Sequence, residues 1–129
     1  WFIEAENDPE TAPVALWLNG GPGSSSLIGL LTENGQVATN ANSMTKNTSS
    51  VPKLFYNPYS WSQVAHVVYL EQPKGVGFSY CVDPEEGCTN TDESTAEDAY
   101  GALVNFFDEK FPEYKSKDFY ITGESYAGT

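Results

Sequence analysis

A short β-prone run, Phe119 to Thr122, leads straight into Gly123-Glu124-Ser125-Tyr126-Ala127-Gly128, a serine hemmed by small residues. Few junctions leave a chain so little choice of fold. The spacing predicts a strand that turns abruptly into a helix with Ser125 at the corner. Small neighbours are required because the backbone of such a corner is strained and bulkier side chains would collide there. A serine held this way projects its hydroxyl and lies at a helix N-terminus, where amide groups meet developing negative charge. Ser125 is therefore the candidate nucleophile.

The rest of the chain supplies a sheet for that corner. Pro13 to Asn19 is nearly continuous in apolar residues, as expected for a strand covered on both faces, and Val64 to Leu70 reads the same way. Trp1 to Ala5 looks like a further strand, closed by the breaker cluster Asn7-Asp8-Pro9. Asp118 to Thr122 is the strand that feeds Ser125. Ser94-Thr95-Ala96-Glu97 has the form of a capping box. Beyond it Ala96, Ala99, Tyr100, Leu103, Val104, Phe107 and Phe111 recur at helical spacing until Pro112 stops the helix. Asn34 to Val51 is polar and reads as a surface loop. It holds the sequon Asn47-Thr48-Ser49, so Asn47 is a glycosylation candidate should the chain enter the secretory pathway. Strands alternating with helix and long loops predict an α/β protein with a largely parallel sheet.

Asn19-Gly20-Gly21-Pro22-Gly23 follows a buried strand, which places its amides at the C-terminal edge of the sheet, where open α/β sheets bind ligands. Two glycines let the main chain approach a reacting carbonyl and point an N–H at it. A phosphate loop would need a lysine just after the glycines, and none lies between Gly20 and Thr45. A plain tight turn between strand and helix is the other reading of this segment, and pairing with the serine corner weakens it.

Charge narrows the partners. The net charge is −12, with six lysines and no arginine, which speaks against nucleic acid and against anionic membrane surfaces. No stretch approaches the length of a membrane span. Cys81 and Cys88 bracket an acidic loop and would close it as a disulfide in an oxidising compartment; pairing with cysteines elsewhere, or free thiols, stay open. Two thiols and one histidine at these spacings match no ligand pattern, so neither a metal nor another cofactor is expected.

Together the blocks Trp17-Leu18-Asn19-Gly20-Gly21-Pro22-Gly23-Ser24-Ser25-Ser26 and Gly123-Glu124-Ser125-Tyr126-Ala127-Gly128 resemble the two signatures of the serine carboxypeptidase family. Asn57-Pro58-Tyr59-Ser60-Trp61, Gln72-Pro73, Gly75-Val76-Gly77-Phe78-Ser79-Tyr80 and Phe111-Pro112-Glu113-Tyr114 match as well, in the right order. The resemblance implies an α/β-hydrolase fold, here the early strands of the mostly parallel sheet up to the nucleophile elbow. It implies removal of C-terminal residues from peptides at acidic pH, in vacuoles, lysosomes or outside the cell. By the same resemblance Ser125 is acylated, the backbone N–H groups of Gly21 and Tyr126 form the oxyanion hole, and Trp17, Asn19, Gly20, Glu33 and Glu124 bind substrate. Asn19 and Glu124 would hold the peptide's terminal carboxylate, with Glu33 behind Glu124. Two ionised carboxylates cannot face one another closely, so a shared proton is required and peptide binding should weaken as pH rises. Ser24 stands where many family members carry a cysteine, which leaves that family disulfide without its first partner.

A serine nucleophile also needs a base, and the only histidine is His66, inside an apolar strand where a packed side chain is the expected role. In α/β hydrolases the order is Ser, then Asp or Glu, then His, so both partners should lie beyond Thr129. Residues 1–129 therefore read as part of a catalytic domain truncated after the elbow, inactive alone and prone to aggregate through an open sheet edge. An acyltransferase of the same family and a non-catalytic binding homologue are the alternative functions. Oligomeric state is left open.

Overall fold

The computed structural model describes residues 1–44, 51–83 and 88–129. Among these residues six strands occur in chain order: β1 (Phe2–Ile3), β2 (Val14–Leu18), β3 (Val37–Ala38), β4 (Phe55–Tyr56), β5 (His66–Tyr69) and β6 (Phe119–Gly123). One α-helix, α1 (Asp92–Asn105), precedes β6. The main sheet has the order β1-β5-β2-β6, and β3 pairs with β4 in a small antiparallel ribbon. β2 runs parallel to both β5 and β6, with Val14 opposite His66 and Phe119, and Leu18 opposite Gly123. Only β1 is antiparallel in the main sheet. The architecture is thus the mixed, mostly parallel sheet that the strand pattern predicts.

β2 is central because its sequence can be covered on both sides. All five of its residues are buried. Alternate side chains go to opposite faces. Val14, Leu16 and Leu18 join Val68 and Tyr114 on one face, against Phe2, Leu103, Phe106, Phe107, Phe111 and Phe119. Trp17 joins Leu30, Val67 and Tyr69 on the other. Each such side chain taken from water contributes about 1.5–3 kcal/mol.

The stretch read as a surface loop contains β3, because Val37 and Ala38 find Tyr56 and Phe55 as strand partners, and Asn34 and Ser43 within it are buried. Three further elements differ from the sequence expectation in their bounds, each for a local reason. β1 stops at Ile3 because the Ala5 N–H turns to His66 Nδ1 (3.1 Å) and the Glu6 N–H to the Ser62 carbonyl (2.6 Å). β5 begins at His66 because the N–H groups of Val64 and Ala65 both bond the Trp61 carbonyl and close a helical turn instead. The helix starts before the expected box. Thr91 Oγ1 accepts from the Ser94 N–H (3.1 Å) while Ser94 Oγ accepts from the Thr91 N–H (2.9 Å). Asp92 and Glu93 then occupy the first turn, where the helix dipole favours negative charge.

The helix ends in a wider π-type turn, Phe106–Lys110, closed by the Phe111 N–H on the Phe106 carbonyl (2.8 Å). That turn shifts the helical phase, so Phe106 reaches the sheet alongside Phe107 and Phe111. Tyr100 and Val104, which the periodicity assigns to the packed face, are exposed.

His66 is the packed residue expected. It is 1% exposed, with Nδ1 taken by Ala5 and Nε2 paired to the Pro9 carbonyl at 2.9 Å. It opens β5 opposite Val14, whereas Ser125 follows the far end of β6, about 13 Å along the strands at 3.3 Å per residue. His66 is no base for Ser125. Among the described residues no helix is long and apolar enough to cross a membrane.

Candidate active site

The elbow is built by a close approach of two backbones. Glu124 is extended (φ −122°, ψ 152°), Ser125 takes φ 54°, and a single turn from Ser125 to Gly128 follows. A left-handed conformation costs a non-glycine residue roughly 1–3 kcal/mol, and such strain persists only where neighbours enforce it. Those neighbours are visible. A Cβ on Gly123 would lie 2.7 Å from both the Leu18 carbonyl oxygen and the Ala127 Cβ. A Cβ on Gly20 would lie 2.7 Å from the Glu124 carbonyl oxygen and 2.9 Å from both Ser125 Cβ and the Tyr126 nitrogen. The glycine-rich loop is therefore pressed directly on the serine corner. Gly21 has φ 118°, so the loop turns away at a residue where a side chain would be strained.

Asn19, at the end of β2, gathers the neighbouring polar groups. Its Nδ2 donates to Glu124 Oε1 at 3.0 Å and to Glu33 Oε1 at 3.3 Å. Its Oδ1 accepts from Trp17 Nε1 (2.9 Å) and from the Gly29 N–H (3.0 Å), and its own N–H donates to Ser26 Oγ (3.2 Å). Every donor and acceptor of this buried amide is occupied, which fixes its orientation. Gly29 is required here, since any Cβ would collide with the Trp17 indole and sit 2.8 Å from Asn19 Oδ1. The nearby Tyr69 phenol is pushed well up, first by burial and then by the charge of Glu33.

On the outer side of the elbow, Tyr126 Oη donates to Asp92 at 2.5 Å, tying the corner to the first turn of α1. That bond raises the Tyr126 phenol above the usual tyrosine value. Between the elbow and α1 lies a cavity of about 870 Å³, lined by Asn19, Gly20 and Tyr126 on one side and Ala99 and Leu103 on the other. Cys81 and Cys88 are joined in a disulfide with Cα atoms 5.9 Å apart, beside Gly75. Asn47 lies outside the described residues.

The structure thus brings Trp17, Asn19, Gly20, Glu33, Glu124, Ser125 and Tyr126 into one cluster at the C-terminal rim of the sheet, with Gly21 in the adjoining loop. Sequence reasoning missed Ser26 and Gly29 as partners of Asn19. It also missed Ser25 and Glu71, which are hydrogen-bonded to each other. Serines immediately before an apolar run are a capping signal, and that signal marks Ser25, whose Oγ accepts from the Leu27 N–H at 3.2 Å.

Comparison with known proteins supplies the family. The sequence model described as serine carboxypeptidase matches residues 1–129. The chain belongs to the serine carboxypeptidase family. It is 52% identical over 128 residues to the lysosomal protective protein of Mus musculus, covering 99% of this chain and 25% of that one. It is 50% identical over 129 residues to serine carboxypeptidase-like 34 of Arabidopsis thaliana, covering 99% of this chain and 24% of the relative. Among solved structures, a prohormone-processing carboxypeptidase of Saccharomyces cerevisiae superposes with a TM-score of 0.76 at 32% identity, over 99% of this chain and 26% of the other. The chain therefore spans about a quarter of the length of the relatives it matches, and its fold is that of the α/β-hydrolase serine carboxypeptidases.

For a serine carboxypeptidase chain the cluster has two chemically distinct halves. One is an exposed serine in a constrained corner with a glycine backbone against it. The other is a buried amide that fastens two carboxyl groups within hydrogen-bond reach of one nitrogen. The first suits attack on a carbonyl, the second recognition of a small polar group.

Proposed function

We propose that this chain is part of the catalytic domain of a serine-type carboxypeptidase that removes C-terminal residues from peptides at acidic pH. Ser125 Oγ attacks the scissile carbonyl, and its proton passes to a histidine contributed beyond Thr129. The N–H groups of Gly21 and Tyr126 receive the oxyanion, the C–N bond breaks, and the amine departs with a proton. Water then hydrolyses the Ser125 ester and returns the serine. Asn19 and Glu124, backed by Glu33 and flanked by Trp17 and Gly20, hold the terminal carboxylate of the substrate.

Asn19 is the observation that carries this reading. Its single amide nitrogen bonds both Glu33 and Glu124, and Glu124 immediately precedes Ser125. That arrangement supports a carboxylate-binding role for Asn19 and Glu124 beside a nucleophilic Ser125. The disulfide and the name of the lysosomal relative support a lysosomal, vacuolar or extracellular setting.

The test is made on the full-length enzyme. A fluorophosphonate should label Ser125, and hydrolysis of a free-acid peptide should fall by at least about 10³-fold in Ser125→Ala. An unlabelled serine would overturn the enzymatic reading. Partition of the acyl-enzyme to an added alcohol in preference to water would make the protein an acyltransferase instead.

A further inference from the structure

Glu71 follows β5, and its side chain joins two segments far apart in sequence. Oε1 accepts from the Ser25 hydroxyl and Oε2 from the Phe78 N–H, while its own carbonyl oxygen accepts from Ser79 Oγ at 2.6 Å. The clasp fills the space at residue 77. A Cβ there would collide with both carboxylate oxygens, and Gly77 has φ 57°.

Ser25 passes the constraint on. With its proton given to Glu71, its oxygen is free to accept from the Leu27 N–H at 3.2 Å, and its carbonyl accepts from the Ile28 N–H at 3.0 Å. Those two bonds start the helical segment that carries Gly29 and Glu33. Gly29 donates to Asn19 Oδ1 at 3.0 Å, and Glu33 accepts from Asn19 Nδ2 at 3.3 Å. Among the described hydrogen bonds Glu71 makes none to Ser125 or Tyr126.

We propose that Glu71 is a positioning residue for the terminal-carboxylate half of the site, an inference that rests on the carboxypeptidase reading. It acts through Ser25 on the Gly29–Glu33 turn and so on the Asn19 amide. The position requires a carboxylate because it meets two donors, an O–H and an N–H, with one acceptor oxygen for each. Glutamine has one acceptor oxygen and one donor nitrogen. Facing Phe78 with the oxygen, it would present N–H to Ser25, whose hydroxyl proton would lose its carboxylate acceptor.

The experiment is steady-state kinetics on the full-length enzyme with a matched pair of peptides, one a free acid and one a C-terminal amide. Wild-type preference for the free acid tests the carboxypeptidase reading itself, so its absence is a failure of that reading and not of the role of Glu71. Given the preference, Glu71→Gln and Ser25→Ala should each raise KM for the free acid roughly 3- to 10-fold, the value of one net hydrogen bond. Both should leave kcat and the rate of fluorophosphonate labelling within about twofold, since the nucleophile half does not depend on the clasp. Ser25→Thr should restore KM, and the double variant should be no worse than Glu71→Gln alone. An unchanged KM, or a fall in kcat and labelling at constant KM, would overturn the proposal. If Glu71→Gln does not fold, Ser25→Ala decides the matter by the same criteria.

Discussion

β2 and β6 run side by side in parallel register and end at the same rim, yet they are covered very differently. β2 lies between β5 and β6, and all of its residues are buried. β6 has β2 as its one strand neighbour among the described residues, and Tyr120 and Ile121 are 55% and 67% exposed. The two halves of the site are also held differently. Asn19 hangs from the buried strand and is rigid in every bond. Ser125 follows β6 and is held by the pressure of Gly20 and by Tyr126 reaching Asp92. Asn19 is anchored in the core, and Ser125 is positioned by a seam.

The largest effect should come from breaking the buried side of that comparison. Leu16→Ala removes a side chain 1% exposed and should cost about 2–5 kcal/mol, read as a lowered urea midpoint of the full-length enzyme. An unchanged midpoint would show that β2 does not anchor the sheet.

Next in size is damage to the seam. Gly20→Ala places a methyl 2.7 Å from the Glu124 carbonyl oxygen and 2.9 Å from Ser125 Cβ, which is backbone contact with no flexible side chain to yield. The corner must move by several tenths of an ångström. A displacement approaching 1 Å at a reacting group lowers the rate by about 10²-fold, so kcat of the full-length enzyme should drop towards that figure. The stability loss should stay below that of Leu16→Ala. A variant with wild-type kcat would show that the glycine loop does not set the position of Ser125.

Much of this was readable in the sequence, and the reasons differ by region. Val14 to Leu18 announced a doubly covered strand because an unbroken apolar run has few other uses. Gly123 and Ala127 announced the elbow because the corner cannot hold larger groups. Other features depended on contacts that local pattern does not encode. The choice of Thr91 over Ser94 as the helix cap turned on which pair closed a reciprocal bond. The inward turn of Phe106 followed from a π-type turn that shifts the helical phase. Glu71 was invisible because its partners, Ser25 and Phe78, come from either side of it in sequence and meet only in the fold.

The smallest effect separates two tyrosines on the two sides of the sheet. Tyr69, in β5, has its phenol raised first by burial, whereas the partly exposed Tyr126 has its phenol raised first by the bond it donates to Asp92, from an ordinary value of 10.0. A phenol raised in the folded state favours its neutral form there. Any stability it contributes is complete below the unfolded value and is lost as pH rises through the folded one. Asp92→Asn removes the charge that draws the proton, so Tyr126 should ionise closer to its ordinary value while Tyr69 stays where burial puts it. Tyrosine ring carbon resonances followed by NMR through an alkaline titration would read both residues at once. Movement of both would mean that the elbow and the buried strand are electrostatically coupled, and movement of neither would mean that Asp92 does not hold Tyr126.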